Sequence, residues 1–217
     1  MISGLVSKIR LMRKGGVNIP LCLLRYACYR MRGKWIVAHQ NARIAGINRI
    51  EVNGRLWVGT AFVGFLNNKD HTYLNVRGHL KVNGNVDIGK GSRFDIGPGA
   101  VCDLSSCYIT GSARFVIMHG LRVGKGCAIS WDTEFLDEDF HSLDYDGRRV
   151  VEDPAIAIGD RVWIGSGAKI LKGTRISAGS VVGANSLVSG VFEEENVLIA
   201  GNPARVVKHG VSWGKRV

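Results

Sequence analysis

The chain has 217 residues, 46% of them apolar, with 29 glycines against four prolines and a formal net charge of +11. Length and apolar content suit one good-sized domain, with room for a small appendage, and exclude an intrinsically disordered chain. The charge is local: residues 1–50 hold ten Lys and Arg and no acid, while residues 51–217 hold 19 basic and 18 acidic residues, a balance of +1, which argues against a nucleic-acid-binding main domain.

Residues 1–34 read as a basic helical segment of two short helices. Asn18 and Pro20 are start signals, Leu21, Leu24, Cys28 and Met31 form an apolar stripe at helical spacing, and Gly33 ends the second helix. Arg25, Arg30 and Arg32 lie off that stripe. Lys8, Arg10, Arg13 and Lys14 interrupt any apolar run that would make a signal peptide, and "IPLCLLRYACY" is too short to span a bilayer. Such a segment is expected either to cap the domain or to touch an anionic membrane peripherally. The five cysteines (Cys22, Cys28, Cys102, Cys107 and Cys127) form no CxxC pair and read as reduced thiols of a cytoplasmic protein.

From Trp35 onward, short β-rich pieces alternate with glycine, as in "YLNVRGHLKVNGNVDIGKG". A repeat then emerges. From Ile158 the chain divides into sixes: "IGDRVW", "IGSGAK", "ILKGTR", "ISAGSV", "VGANSL". Each unit opens on an aliphatic residue (Ile158, Ile164, Ile170, Ile176, Val182). The fifth place is small or β-branched (Val162, Ala168, Thr174, Ser180, Ser186). The fourth is Arg161 once, then Gly167, Gly173, Gly179 and Asn185, residues that tolerate a left-handed backbone. Six is not a helical period, and a turn in every unit forbids one long strand. The pattern predicts a coil of very short stacked strands. Looser units occur at Ile88, Ile96 and Val123, where the eight-residue step from Ile88 to Ile96 implies longer turns. The coil is expected over residues 35–190, with an inserted loop at about 132–155 and a closing segment at 191–217.

That loop holds nine of the chain's 18 acidic residues and one histidine, His141. An excursion of this length from a solenoid is usually functional. A loop imidazole with a carboxylate beside it has the composition of a general base: the ring takes a proton and the carboxylate fixes its tautomer. Asp139, Asp144 and Glu134 are the candidate carboxylates, and the remaining acid is expected in solvent.

The combination "FHSLD", "IAIGDRVWIGSGAKIL", "VVGANSLV" and "AGNPARVVK" resembles the hexapeptide-repeat acetyltransferases, in the branch that O-acetylates sugars and polysaccharides. The resemblance is strong over 120–208 and weaker over 50–120. It implies a left-handed parallel β-helix and transfer of an acetyl group from acetyl-CoA, with no metal, to a carbohydrate hydroxyl. It further implies a homotrimer with active sites between subunits. By position it makes His141 the base; which of Asp139, Asp144 and Glu134 orients the ring stays open, with Asp139 taken as the catalytic choice. Ser166, Ala184 and Ser189 fall where the family lays the pantetheine arm. Trp163, at an outward-facing sixth position, is expected at the trimer interface or against a bound substrate and is counted with the cofactor-binding residues. Arg205 and Lys208 fall where it holds the CoA phosphates. Gly190 departs from the pattern, since a Lys is common there. His119 falls within the repeats and His39, His71 and His79 too early, so none is expected to act as base. Three other readings share the fold: a sugar-amine N-acetyltransferase, a non-catalytic scaffold, and a carbonic anhydrase, for which the six histidines lack the zinc spacing. Because lipid-linked glycans are assembled at the inner membrane, a cytoplasmic enzyme peripheral to it is expected.

Overall fold

The computed structural model describes residues 12–61, 64–142, 144–146, 148–149 and 154–214, with only the backbone for 144, 145, 148 and 149. The first of the two expected helices falls mostly outside these residues. The second runs from Ile19 to Met31, with the Asn18 side chain accepting from the Leu21 N–H and Pro20 in the first turn. This is the start that Asn18 and Pro20 signal.

Beyond the helix, short strands stack in parallel register into a three-faced coil. One face stacks His79–Ile88, Val101–Ser105, Gly120–Val123, Ile156–Ile158, Arg175–Ile176 and Val191–Phe192. A second stacks Tyr108–Ile109, Ala128–Ile129, Trp163–Ile164, Val181–Val182 and Leu198–Gly201. The third is a seven-stranded sheet from Ala42–Ala45 to Leu187–Val188. The six-residue repeat dictates this geometry. The fourth position of each unit is left-handed, Arg161 (φ 52°) included, along with Gly167 (68°), Gly173 (70°), Gly179 (72°) and Asn185 (56°). Each such residue turns the chain from one face to the next. The aliphatic first positions and the small fifth positions are all buried. In the fifth places the hydroxyls satisfy the backbone: Thr174 donates to the Val188 carbonyl, while Ser180 and Ser186 accept from Val197 N–H and Gly201 N–H.

Where the repeat loosens, larger side chains fill a wider coil. Phe94, Phe115 and Phe135 stack on successive rungs of the third face, centroids 4.1 and 4.6 Å apart, continuing in register into Ile170 and Val188. Cys102, Cys107 and Cys127 are buried in the same core, and burial pushes the thiols of Cys107 and Cys127 to about 12 and about 11. They pack as small hydrophobes. The last rung closes with an antiparallel hairpin, Leu198–Gly201 against Ala204–Lys208, across a cis Asn202–Pro203 bond.

The helix packs against the first rung with Cys22, Ile19 and Tyr26, over Val37, Trp57 and Trp35. Arg25 fixes it there, donating to the carbonyls of His39, Gln40 and Ala42. The apolar stripe read from spacing is therefore not the packed face. Leu21, Leu24, Cys28 and Met31 all point outward, because Arg25 and the two tyrosines anchor the opposite side.

Candidate active site

The corner between the third and first faces positions the chemistry. Successive rungs turn there at Pro98, at Met118–His119 and at Asp137, and the acidic excursion leaves from that last turn, after the strand Glu134–Leu136. The strand Glu134–Leu136 lies in register on Arg114–Val116, so residues 137–138 continue one rung above 117–118, beside the turn at Met118–His119.

Two adjacent carboxylates clamp the root of the excursion to the rung below. Asp137 is wholly buried and accepts three backbone N–H bonds, from Met118 (2.6 Å), His119 (2.8 Å) and Gly120 (2.8 Å). Glu138 spans the gap: one oxygen lies 2.7 Å from His119 Nε2, and the other accepts the Phe140 N–H at 3.0 Å. The His119 hydrogen bond first, then that of Phe140, hold the Glu138 carboxyl below the usual carboxylate range. Phe140 is left-handed (φ 61°), a costly conformation for a bulky residue that the Glu138 bond helps to hold.

These bonds present His141 at the rim of an open cleft of about 580 Å³, lined by Pro98, Met118, His119, Glu138, Phe140, His141 and Ser142. His141 Nδ1 lies 3.2 Å from the Asp139 carbonyl. A carbonyl only accepts, so Nδ1 carries the proton and Nε2 keeps its lone pair. Nε2 makes no hydrogen bond to a described residue. The arrangement can accept a proton from a group bound in the cleft.

None of the three carboxylates expected beside His141 is placed on the ring by its side chain in the described structure. Glu134 points outward to Arg114 (3.4 Å) and Lys169 (3.6 Å). Asp139 touches the ring through its carbonyl, while its carboxylate is drawn to Lys172, 3.0 Å away. Asp144 lies in a small hairpin, paired with Arg149, of which only the backbone is described. At this corner the carboxylate that holds an imidazole is Glu138, and the imidazole is His119, the residue set aside as part of the repeats. The signal that identifies His119 is register: the turn after Arg114–Ile117 stacks directly beneath the turn that starts the acidic loop.

The remaining expected site residues divide by corner. Ser189 lies two turns further along the same corner as His141, beyond Lys172. Ser166 and Ala184 stack on a different corner, between the second and third faces, where the Asn185 N–H donates to the Ser166 carbonyl at 2.9 Å. Trp163 is on the second face, 41% exposed, its indole donating to Ser130 Oγ at 3.1 Å. Arg205 pairs with Ala200 in the closing hairpin, and both Arg205 and Lys208 are exposed. Within one chain, His141 and Asp139 thus share a corner with Ser189, two turns away, but not with Trp163, Ser166, Ala184 or Arg205. Among the described residues no group of His, Cys, Asp and Glu is arranged to hold a metal ion.

No family model matches the chain. It is 41% identical over 204 residues, 93% of its length and 91% of the relative's, to an uncharacterised 24.8 kDa protein in the cps region of Klebsiella pneumoniae. It is 29% identical over 147 residues, 63% of its length and 74% of the relative's, to the putative lipopolysaccharide biosynthesis O-acetyl transferase WbbJ of Escherichia coli K12. Among solved structures, the polySia-specific acetyltransferase NeuO aligns over 84% of this chain and 80% of its own, with a TM-score of 0.52 at 21% identity. A point mutant of AntD, an N-acyltransferase from Bacillus cereus in complex with dTDP and coenzyme A, aligns over 81% of both chains with a TM-score of 0.52 at 16% identity. These two likenesses are of fold.

Proposed function

Because the chain belongs to the hexapeptide-repeat sugar acetyltransferases, acyltransferases built on a left-handed β-helix, we propose that it transfers an acetyl group from acetyl-CoA to a hydroxyl of a surface glycan or its precursor, with His141 as general base. One observation carries the assignment of the base: Nδ1 of His141 is committed to the Asp139 carbonyl, which leaves Nε2 free at the rim of the cleft. The acceptor O–H gives its proton to Nε2 as its oxygen attacks the thioester carbonyl carbon. The tetrahedral intermediate then expels the CoA thiolate, which recovers the proton from the imidazolium. Asp139 acts as a positioning residue through its backbone, and the Glu138–His119 pair holds the loop that carries the base. The relative named as an O-acetyl transferase supports a hydroxyl acceptor over a sugar amine.

Trp163, Ser166, Ala184, Arg205 and Lys208 retain their proposed roles toward acetyl-CoA, with the arm along the small residues and the cations at the phosphates. Their distance by corner from His141 supports a homotrimer in which each site takes the base from one copy and the CoA groove from the next. No described helix is long and apolar enough to cross a membrane. A cytoplasmic location fits that and the sugar-precursor acceptors.

The test is CoA thiol release with mass spectrometry of the acceptor, using glycans from cells lacking the gene. His141→Ala should bind acetyl-CoA as the parent does and lose about 100-fold or more in turnover, the scale of a removed general base. Turnover near the parent's would move the base elsewhere.

A further inference from the structure

The helix Ile19–Met31 is apolar on both sides. Its packed side carries Ile19, Cys22 and Tyr26 beside Arg25 and Tyr29, and its solvent side carries Pro20, Leu21, Leu23, Leu24, Ala27, Cys28 and Met31, all exposed. Leu23 is 61%, Leu24 62% and Met31 82% exposed. A contiguous apolar face of this size on a rigidly seated helix marks an interaction surface. Its cationic rim identifies the partner. Arg30 and Arg32 flank it on the helix, Arg13 and Lys14 are exposed in the segment just before the helix, none of the four forms an ion pair with a described residue, and the first 50 residues contain no acid. Apolar side chains flanked by unpaired cations match a lipid–water interface, where the former enter the acyl boundary and the latter meet anionic headgroups.

We propose that the outward face of Ile19–Met31 docks on the surface of an anionic bilayer. The three hydrogen bonds from Arg25 to the first rung make the face a fixed part of the domain, so docking would orient the whole coil on the lipid rather than tether it through a loose tail. A second copy is a poorer occupant. Two copies meeting face to face would bring four unpaired cations from each together, and a head-to-tail trimer does not pair this face with itself. The inference stands apart from the acetyl-transfer reading, because lipid binding is measured without turnover.

The experiment is flotation of the full chain with vesicles of phosphatidylcholine alone and of phosphatidylcholine with about 30 mol% phosphatidylserine, enough to give the surface a negative potential. Runs at low and high salt should differ, because screening shortens to roughly 3 Å at 1 M ionic strength. The expected result is binding to the anionic vesicles at low salt, at least about tenfold weaker in high salt or without phosphatidylserine. Leu23→Ser with Leu24→Ser leaves the charge unchanged and, both residues being exposed, leaves the fold intact; it should weaken binding by about tenfold or more. Failure of the parent to float with anionic vesicles at low salt overturns the proposal. So does binding by the double variant equal to the parent's, which would mean attraction by charge alone. A change in oligomeric state on Leu24→Ser, with no vesicle binding by the parent, would assign the face to a second copy instead.

Discussion

Replacing Asp137 with Asn changes almost no volume, yet it should be among the most damaging single substitutions near the cleft. The carboxylate is wholly buried, and its two oxygens accept three backbone N–H groups, one from Met118 and two from His119 and Gly120. An amide can turn its oxygen toward the pair, but its NH₂ then faces the Met118 N–H, donor against donor. An unsatisfied buried N–H costs about 1–3 kcal/mol, and the two surviving bonds lose their charge assistance, so the total is about 2–4 kcal/mol. For a domain of this size each kcal/mol lowers the melting temperature by about 2–4 °C, which predicts a fall of roughly 5–15 °C by scanning calorimetry. Asp139→Asn is the control: its ion pair with Lys172 is partly exposed, and the change should cost under about 1 kcal/mol. An Asp137→Asn melting temperature within about 2 °C of the parent's would refute the account of how the excursion is anchored.

His119→Gln keeps a donor toward Glu138 and should hold turnover within about threefold, whereas His119→Leu releases the loop and should cost about tenfold or more with little change in KM for acetyl-CoA. Equal losses in both, on the scale of His141→Ala, would make His119 the proton carrier. His39 is buried beside Lys90 and Arg25, and burial first, then the Lys90 charge, lower its pKa to about 4. The unfolded chain therefore binds a proton that the folded chain refuses between about pH 6.5 and 4, so stability is full above that window and falls as pH drops through it. The loss should reach about 2 kcal/mol by pH 5, and His39→Asn, whose amide oxygen can accept the Asn41 N–H that Nδ1 accepts now, should remove that part of the slope in melting curves taken from pH 7 to 5. Parallel pH slopes for parent and variant would count against it.

The coil is legible in the sequence because its rule is local. A left-handed residue at the fourth place of each unit and an inward aliphatic at the first leave the chain one way to turn, and even Arg161 adopts the turn that its position demands. His141 is legible as the imidazole of the excursion, since a loop that leaves a regular solenoid stands out by its loss of period. His119 is not, because its partnership with Glu138 depends on which turn stacks beneath which, and that register is set by the phenylalanine rungs over a stretch where the six-residue period fails. Asp139 falls beside the ring as its place in the chain implies, but through its carbonyl, since sequence cannot show that Lys172, at the next turn of the same corner, captures its carboxylate. The helix stripe departs from expectation for a related reason. Spacing finds an apolar face but not the side from which Arg25 and Tyr29 hold the helix.

The two carboxylates that hold the excursion both precede His141, and both reach down to the turn at Met118–Gly120, Glu138 with one oxygen while its other accepts the Phe140 N–H. Among the described residues, the hydrogen bonds that hold the imidazole and the turn before it come from Asp137, Glu138 and the Asp139 carbonyl, all upstream of His141. Doubling a loop's length costs only about 0.6 kcal/mol in closure entropy. The corner thus behaves as a socket: a longer, shorter or foreign segment could be spliced in after Ser142, reshaping the ground that an acceptor must cross while the proton-accepting nitrogen stays put.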